Sequence, residues 1–358
     1  MNEEQLKKCL LPLRPHELAM KQYFNQYPKA YAGVNGGWED FKAKCRREYG
    51  RNLSFPNLSS RFFLGPELTE AECFANTHQE VQVILHDRFF PPYRQHVGFL
   101  KILYSLSGSA EFYYNQEKVI LSAGDFVIVP PGADHAVFSG SADALTLNIV
   151  IKKSTFGSAF ASLLAGKDLI SDFFWKMLYS KTGADALLFQ CGSDARLLES
   201  VIRLYEETVC EQNPNDVLIK GLVILFFGTV IKYHAQNVVE LISEKAVRKV
   251  FPGMIRYILE NYQTVTLSTL AEHFHRSEGY VSRYIHAETG TTFRLLLREF
   301  RLEQAAEMLR SSECTIEEIV NAIGYTEASR FYRNFKERFG LTPTAYRERT
   351  SLPGVVGR

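Results

Sequence analysis

Residues 266–292 read TLSTLAEHFHRSEGYVSRYIHAETGTT, and residues 315–342 read TIEEIVNAIGYTEASRFYRNFKERFGLT. The second stretch repeats the first. Thr266, Leu267, Leu270, Ala271, Phe274, Ser277 and Glu278 return 49 positions later as Thr315, Ile316, Ile319, Val320, Ile323, Thr326 and Glu327. From Val281 the offset is 50, and Val281, Arg283, Ile285, Gly290 and Thr292 return as Phe331, Arg333, Phe335, Gly340 and Thr342. Self-similarity at a nearly fixed period marks one supersecondary unit used twice. In each copy the apolar residues keep helical spacing across two segments, which predicts a short helix, a tight turn and a second helix, with one extra residue after the turn of the second copy. Thr315 followed by Glu318 is a capping box, and Gly324 stands where the turn needs unusual backbone angles. Phe293, Leu296, Leu297, Phe300, Ala305 and Leu309 mark a longer helix that links the copies.

Upstream the texture changes. Between Glu80 and Ile151, short β-branched and aromatic runs such as Val81–Leu85, Phe99–Tyr104, Ala110–Tyr114 and Phe126–Val129 alternate with Gly, Pro, Asn and Asp, which predicts a small all-β barrel. Residues 155 to 245 read as helices. Within them Gly221–Ile231 is the most apolar run, bounded by Lys220 and Lys232 and short of the roughly 20 residues that cross a bilayer, so a buried helix is expected. Residues 1–75 mix helical patches, such as Trp38–Cys45, with Gly and Pro breaks at Gly33, Gly36, Gly37, Pro56 and Pro66, and their role is unreadable. The N-terminus lacks the basic and apolar regions of a secretion signal, which predicts a cytoplasmic chain.

Composition narrows the classes of function. The chain has 358 residues, 46% hydrophobic, with a formal net charge of +1, so no overall field draws it to polyanions and any nucleic-acid surface is local. Residues 246–350 hold 15 Lys+Arg and 13 Asp+Glu, with Arg330, Arg333, Lys336, Arg338, Arg347 and Arg349 crowding the second copy. The six cysteines form no CxxC and no zinc-spaced cluster, which predicts reduced thiols and no structural metal.

The pattern Leu267-x2-Leu270-Ala271, Ser277-x2-Tyr280-Val281-Ser282-Arg283, Arg301-Leu302-x2-Ala305, Ile319-Val320-x3-Gly324-Tyr325 and Phe339-Gly340-x-Thr342-Pro343 resembles the DNA-binding domain of AraC/XylS-type bacterial transcription regulators. The resemblance runs from near Val247 to Thr350, and departs where Val320 replaces the usual Ala and Tyr325 the usual Phe. Gly124-x5-Pro130-x-Gly132-x2-His135 and His96-x4-Lys101-x6-Gly108 resemble the cupin motifs. Cupin enzymes hold a metal with three His and one Glu, whereas the positions here carry Arg94, His96, Lys101 and His135. Two cations have replaced a His and the Glu, so the resemblance implies a sensing barrel with no metal or other cofactor and no catalytic residues.

A recognition helix puts small or polar side chains into the major groove and packs its other face inward. Glu278, Gly279, Ser282, Arg283 and His286 in the first copy fit that outer face, as do Ala328, Ser329, Arg330, Tyr332, Arg333 and Lys336 in the second. Arg283 and Arg333 occupy corresponding places and suit guanine O6 and N7, though each can equally meet phosphate or solvent. In the barrel, Arg94, His96, Lys101 and His135 are candidates for an anionic or polyhydroxy effector such as a sugar, while His96 and His135 can also be hydrogen-bonded core residues. Tyr113, Tyr114 and Trp175 read as packing.

The fold class expected is α+β: an extension over 1–75, a cupin-like sensor barrel over 76–152, a helical connector with a dimerisation role over 153–245, an all-α double helix-turn-helix over 246–350 and a flexible tail over 351–358. The function expected is sequence-specific regulation of transcription, with double-stranded DNA, a small-molecule effector and a second copy as partners, RNA polymerase in addition if it activates, and no membrane. The alternatives are a cupin metalloenzyme, an isomerase or dioxygenase, with an appended DNA-binding module, and a C-terminal domain that docks another protein.

Overall fold

The β-branched runs of residues 81–151 become strands in the computed structural model, which describes residues 1–41, 43, 67–75, 77–115, 117–156, 169–180, 184–241 and 250–350. The strands are β1 (Glu67–Leu68), β2 (Val81–Leu85), β3 (Gln95–Val97), β4 (Leu100–Ser107), β5 (Ser109–Tyr114), β6 (Glu117–Ser122), β7 (Phe126–Val129), β8 (Asp134–Phe138), β9 (Leu145–Ile151), β10 (Ala186–Phe189) and β11 (Val238–Leu241). They form a five-stranded sheet in the order β1-β3-β8-β5-β6 and a six-stranded sheet in the order β11-β10-β7-β4-β9-β2. Leu103, Phe112, Leu121, Val127, Val137 and Leu188, from both sheets, make one apolar core. Gly124, at the turn before β7, has φ +88°, and a Cβ there would collide with the Gly192 carbonyl. Only glycine fits that close approach of two backbones.

Two of these strands fall in the stretch read as entirely helical. Ala186–Phe189 is a four-residue apolar run, too short for periodicity to separate strand from helix, and its register against β7 pairs Leu187 with Ile128. Val238–Leu241 pairs with it at the sheet edge. Between them lie α5 (Ala195–Tyr205) and α6 (Asp216–His234). By length and composition α6 is apolar enough to cross a membrane, longer than the run the sequence marked. Its face bearing Ile219, Leu222, Val223, Phe226, Phe227 and Val230 is buried, and Phe226 meets the barrel residue Phe126 edge-on at 5.3 Å. The other face leaves Val217, Leu218, Leu225 and Tyr233 exposed.

The N-terminal extension packs on the barrel. After α1 (Glu3–Leu10) and α2 (Pro15–Gln26), Tyr23, Tyr31 and Phe41 join Phe89, Phe90, Tyr93 and Phe99 in an aromatic core that also takes Cys73 from α3 (Glu70–Cys73). Trp38–Phe41 is helical as expected. The rest of that patch apart from residue 43, together with Cys45, Pro56, Pro66 and the tail 351–358, lies outside the described residues. Arg88 is fully buried and donates to both Glu17 oxygens at 3.0 and 2.9 Å and to the carbonyls of Leu11 and Pro12 at 3.0 and 3.1 Å. Burial alone would raise the Glu17 carboxyl, but hydrogen bonds from Arg88 and Arg14 outweigh it and hold it below the usual carboxylate range.

The described residues fall into two compact units, one made of Met1–Thr155 with residues 169–173 and 184–241, the other of Phe156 with residues 174–180 and 250–350. The second unit takes Trp175 and Tyr179 from α4 (Leu169–Tyr179), and continues with α7 (Val250–Glu260), α8 (Leu267–His273), α9 (Glu278–Thr289), α10 (Phe293–Ser311), α11 (Ile316–Ala322), α12 (Ala328–Phe339) and α13 (Pro343–Thr350). Leu270, Val281 and Ile285 pack on Phe293 and Phe300 of α10, and Ile319, Ile323, Phe331 and Phe335 pack on Leu302 and Leu309 of the same helix. One helix thus supplies a wall to both cores, so the two copies are joined by packing and not by a loose linker.

The repeat survives in detail. Thr266 and Thr315 both cap their helices by accepting from the backbone three residues on. Their turns carry left-handed backbone 49 positions apart, at His275 with φ 51° and Gly324 with φ +77°. A Cβ at Gly324 would collide with the Gln263 carbonyl oxygen, so the second turn requires glycine, whereas the first accepts a strained histidine. The second helices start at caps Ser277 and Glu327, an offset of 50. The extra residue therefore lies inside the turn, ahead of the cap. Thr326-Glu327 resembles Ser277-Glu278 in sequence, which shifts the sequence alignment by one place.

Candidate nucleic-acid interface and barrel interior

The two second helices, α9 and α12, each run 12 residues. Their inward faces, Val281, Tyr284 and Ile285 in one and Phe331, Asn334 and Phe335 in the other, are buried. On the outside, Glu278, Gly279, Arg283, His286, Ala328, Ser329, Arg330, Tyr332, Arg333 and Lys336 are exposed and Ser282 is half-buried. Arg283, His286, Arg330, Arg333 and Lys336 have no carboxylate partner among the described residues. A helix of this length spans about 18 Å, and an α-helix fits the roughly 12 Å width of the major groove. Unpaired guanidinium groups on such a face are free to take bidentate acceptors.

The repeat-related arginines have different neighbours. Arg283 lies back along its own helix, where a Cβ on Gly279 would sit 3.6 Å from its Nη1. Arg333 lines a groove of about 310 Å3 with Arg294, Arg298, Arg301 and Arg330. Two of the cations that crowd the second copy are committed elsewhere. Arg338 donates to Glu299 at 2.8 Å and to Glu303 at 2.9 Å, and Arg347 donates to the Cys314 carbonyl. The carboxylates of α10 hold Arg338 against that helix, a structural use of charge that composition does not reveal.

In the barrel the four cupin-register residues divide into two pairs. Gln95 pairs with His135 and His96 with Asp134 across β3 and β8, and cross-strand partners share a face. His135 therefore points inward and is 1% exposed, while His96 points outward and meets Asp134 Oδ1 at 3.0 Å. Arg94 is also outside, its backbone N–H donating to Asn35 Oδ1 at 2.9 Å. Arg94 and His96 line an outer groove of about 520 Å3 with Trp38, Glu39, Glu67 and Asp134. The two histidines on opposite faces do not form one chelating set, so the donor geometry does not fit a cupin metal.

Inside, Lys101 Nζ lies 3.0 Å from His135 Nε2, and His135 Nδ1 lies 3.2 Å from the Ala133 carbonyl. Nδ1–H donates to that carbonyl, which leaves Nε2 to accept from the ammonium. Burial pushes Lys101 down to about 8, and burial with the Lys101 charge drives His135 well below its ordinary value and His86 to about 3. Lys101 has no carboxylate partner among the described residues. Alternation puts Leu103 and Ser105 on its face of β4, with Asn148 opposite Leu103, and Ser105 Oγ and Asn148 Oδ1 are buried without hydrogen-bond partners among the described residues. Sequence reading missed Ser105 and Asn148; the signal for Ser105 was a polar residue at even spacing from Lys101 on β4, and for Asn148 an amide within the apolar run of β9. Tyr114 packs in the barrel core and Trp175 against Phe300, as expected of packing residues, while half-buried Tyr113 donates its hydroxyl to Glu111.

Comparison with known proteins matches residues 270–349 to the family described as a helix-turn-helix domain and residues 81–151 to the family described as a cupin domain. The chain is 28% identical over 135 residues to the raffinose operon transcriptional regulatory protein RafR of Pediococcus pentosaceus, covering 37% of this chain and 48% of that one. It thus spans about half the length of that relative. It is 19% identical over 249 residues to the Msm operon regulatory protein of Streptococcus mutans, covering 69% of this chain and 83% of that one. Among solved structures it is similar to the C-terminal domain of AraT, a response regulator from Geobacillus stearothermophilus, at 31% identity and a TM-score of 0.30 over 32% of this chain and 96% of that one.

Proposed function

We propose that the chain, which matches a helix-turn-helix domain and a cupin domain ahead of it and is similar to operon regulators, is an AraC-type transcription regulator that binds operator DNA through α9 and α12 under control of a small anion held in the barrel. The observation that carries the DNA reading is the pair of repeat-related helices with unpaired cations outward, joined by one helix that packs into both cores. Arg283 and Arg333 read bases in two successive major grooves, and the other exposed residues of the two helices set register on the backbone.

The effector site is the interior around Lys101 and His135; Arg94 and His96, expected to join them, lie in the outer groove on the opposite face and do not line it. A buried ammonium without a carboxylate among the described residues, on the same sheet face as the orphaned Ser105 and Asn148 oxygens, favours a ligand that brings an anionic group and a hydrogen-bond donor. A second copy covers the exposed face of α6 at Val217, Leu218, Leu225 and Tyr233, and RNA polymerase is a further partner if the protein activates. The whole acts in the cytoplasm. The test is selection of genomic DNA fragments on the full-length chain. Recovery of fragments sharing a bipartite sequence supports the reading, and recovery without any common sequence refutes it.

A further inference from the structure

Resting on that DNA-binding reading, we propose that the groove beside the second recognition helix seats a backbone phosphate of the DNA, with Arg294 as its principal contact. The groove gathers Arg294, Arg298, Arg301, Arg330 and Arg333, against a single lining carboxylate among the described residues, Glu327. Like charges brought together on one wall repel one another, and an anion seated among them removes that cost.

The five arginines are not equivalent. Arg301 donates to the carbonyls of Tyr262 and Gln263 at 2.8 and 2.9 Å and lies over the Tyr325 ring, so it is a strut between elements. Arg298 is held by Glu299 at 3.2 Å and Glu337 at 3.8 Å. Arg294, Arg330 and Arg333 have no such partner among the described residues. Arg294 is the second residue of the 19-residue α10, capped by Thr292, so the amides and dipole of that first turn add to the positive field. Farther along α10, Glu299 and Glu303 are occupied by Arg338, which leaves the first turn cationic.

The chemistry that fits is a tetrahedral, singly charged phosphodiester, whose two free oxygens match a guanidinium fork. Arg294 stands on the helix that connects the two base-reading helices, so its phosphate belongs to the stretch of backbone between the two boxes. It contributes grip and register, and it carries no base preference.

The experiment measures binding of the full-length chain to a duplex recovered by selecting random-sequence DNA on the wild type, and to a mixed-sequence control duplex, over a salt series. Arg294→Gln should weaken both duplexes by a similar factor, lower the slope of log affinity against log salt by about one, and leave the selected bases unchanged. Arg294→Lys should keep the slope and part of the affinity. Replacing one phosphate between the boxes by a neutral methylphosphonate should weaken the wild type and leave Arg294→Gln indifferent. Wild-type affinity and slope in the glutamine variant would overturn the phosphate seat and leave the DNA reading standing. A shift in selected bases, or loss of activation with DNA binding intact, would overturn it in favour of a base or protein contact. Failure of the wild type to retain any duplex would overturn the DNA reading itself.

Discussion

The barrel interior and the outer face of the recognition helices both carry cations, under opposite conditions. Lys101 is 3% exposed, with a neutral imidazole for its neighbour and no carboxylate among the described residues, whereas Arg333 stands in water beside other unpaired arginines. Arg88, in the same unit as Lys101, is equally buried but has every arm of its guanidinium matched by Glu17 and backbone carbonyls. What separates a structural cation from a functional one is the completeness of its partners. Arg88 and Arg338 are complete and hold the fold; Lys101 and Arg333 have no carboxylate partner among the described residues, and the ligands proposed above would complete them.

The largest effect should come from making a complete cation incomplete. Glu17→Ala strands the Arg88 charge in the core, and removal of one partner from a buried pair costs about 3–5 kcal/mol. Urea unfolding of the full chain should show that loss; a change within a few tenths would mean that the carbonyls alone satisfy Arg88.

Lys101 should behave in the opposite way. Its folded value of about 8 lies below the ordinary 10.5, so the unfolded chain binds more protons between these values and stability rises with pH across that window. The penalty is present in full below about pH 8. Lys101→Met should therefore stabilise the apoprotein at pH 7, by on the order of 3 kcal/mol, and the gain should vanish towards pH 10.5. The same variant should lose the effector response. A destabilised Lys101→Met at neutral pH would mean that the ammonium is already satisfied.

On the recognition helices, Arg283→Ala and Arg333→Ala should each cost about 1–3 kcal/mol of operator binding and relax a different box, read by quantitative footprinting. Equal weakening on every sequence would reassign them to phosphate. The smallest effect concerns the two turns. His275→Gly should add up to about 1 kcal/mol by relieving left-handed strain, while Gly324→Ala should destabilise, both measured by thermal unfolding.

The legible and illegible parts of the sequence differ for the same physical reason. The double helix-turn-helix could be read because a helix is a local structure: its caps, spacing and turn residues lie within a few positions, and Thr315-Glu318 and Gly324 do what their chemistry implies. The extra residue could not be placed, since Thr326-Glu327 imitates Ser277-Glu278 and only the cap geometry distinguishes them. In the barrel, the cupin spacing found Lys101 and His135, but β3 is three residues long and its register against β8 is a long-range fact. Sequence alone therefore could not turn His96 outward. Arg88 and Glu17 are 71 positions apart, beyond any local pattern.

The central claim is that two copies of one unit, held together by α10, read one face of DNA as a pair. Hydroxyl-radical footprinting of the full-length chain on a selected fragment tests it most directly. The account predicts two protected boxes on the same face, about 10–10.5 bp apart, with Arg283→Ala erasing protection in one and Arg333→Ala in the other. A single protected box that both substitutions weaken alike would contradict it.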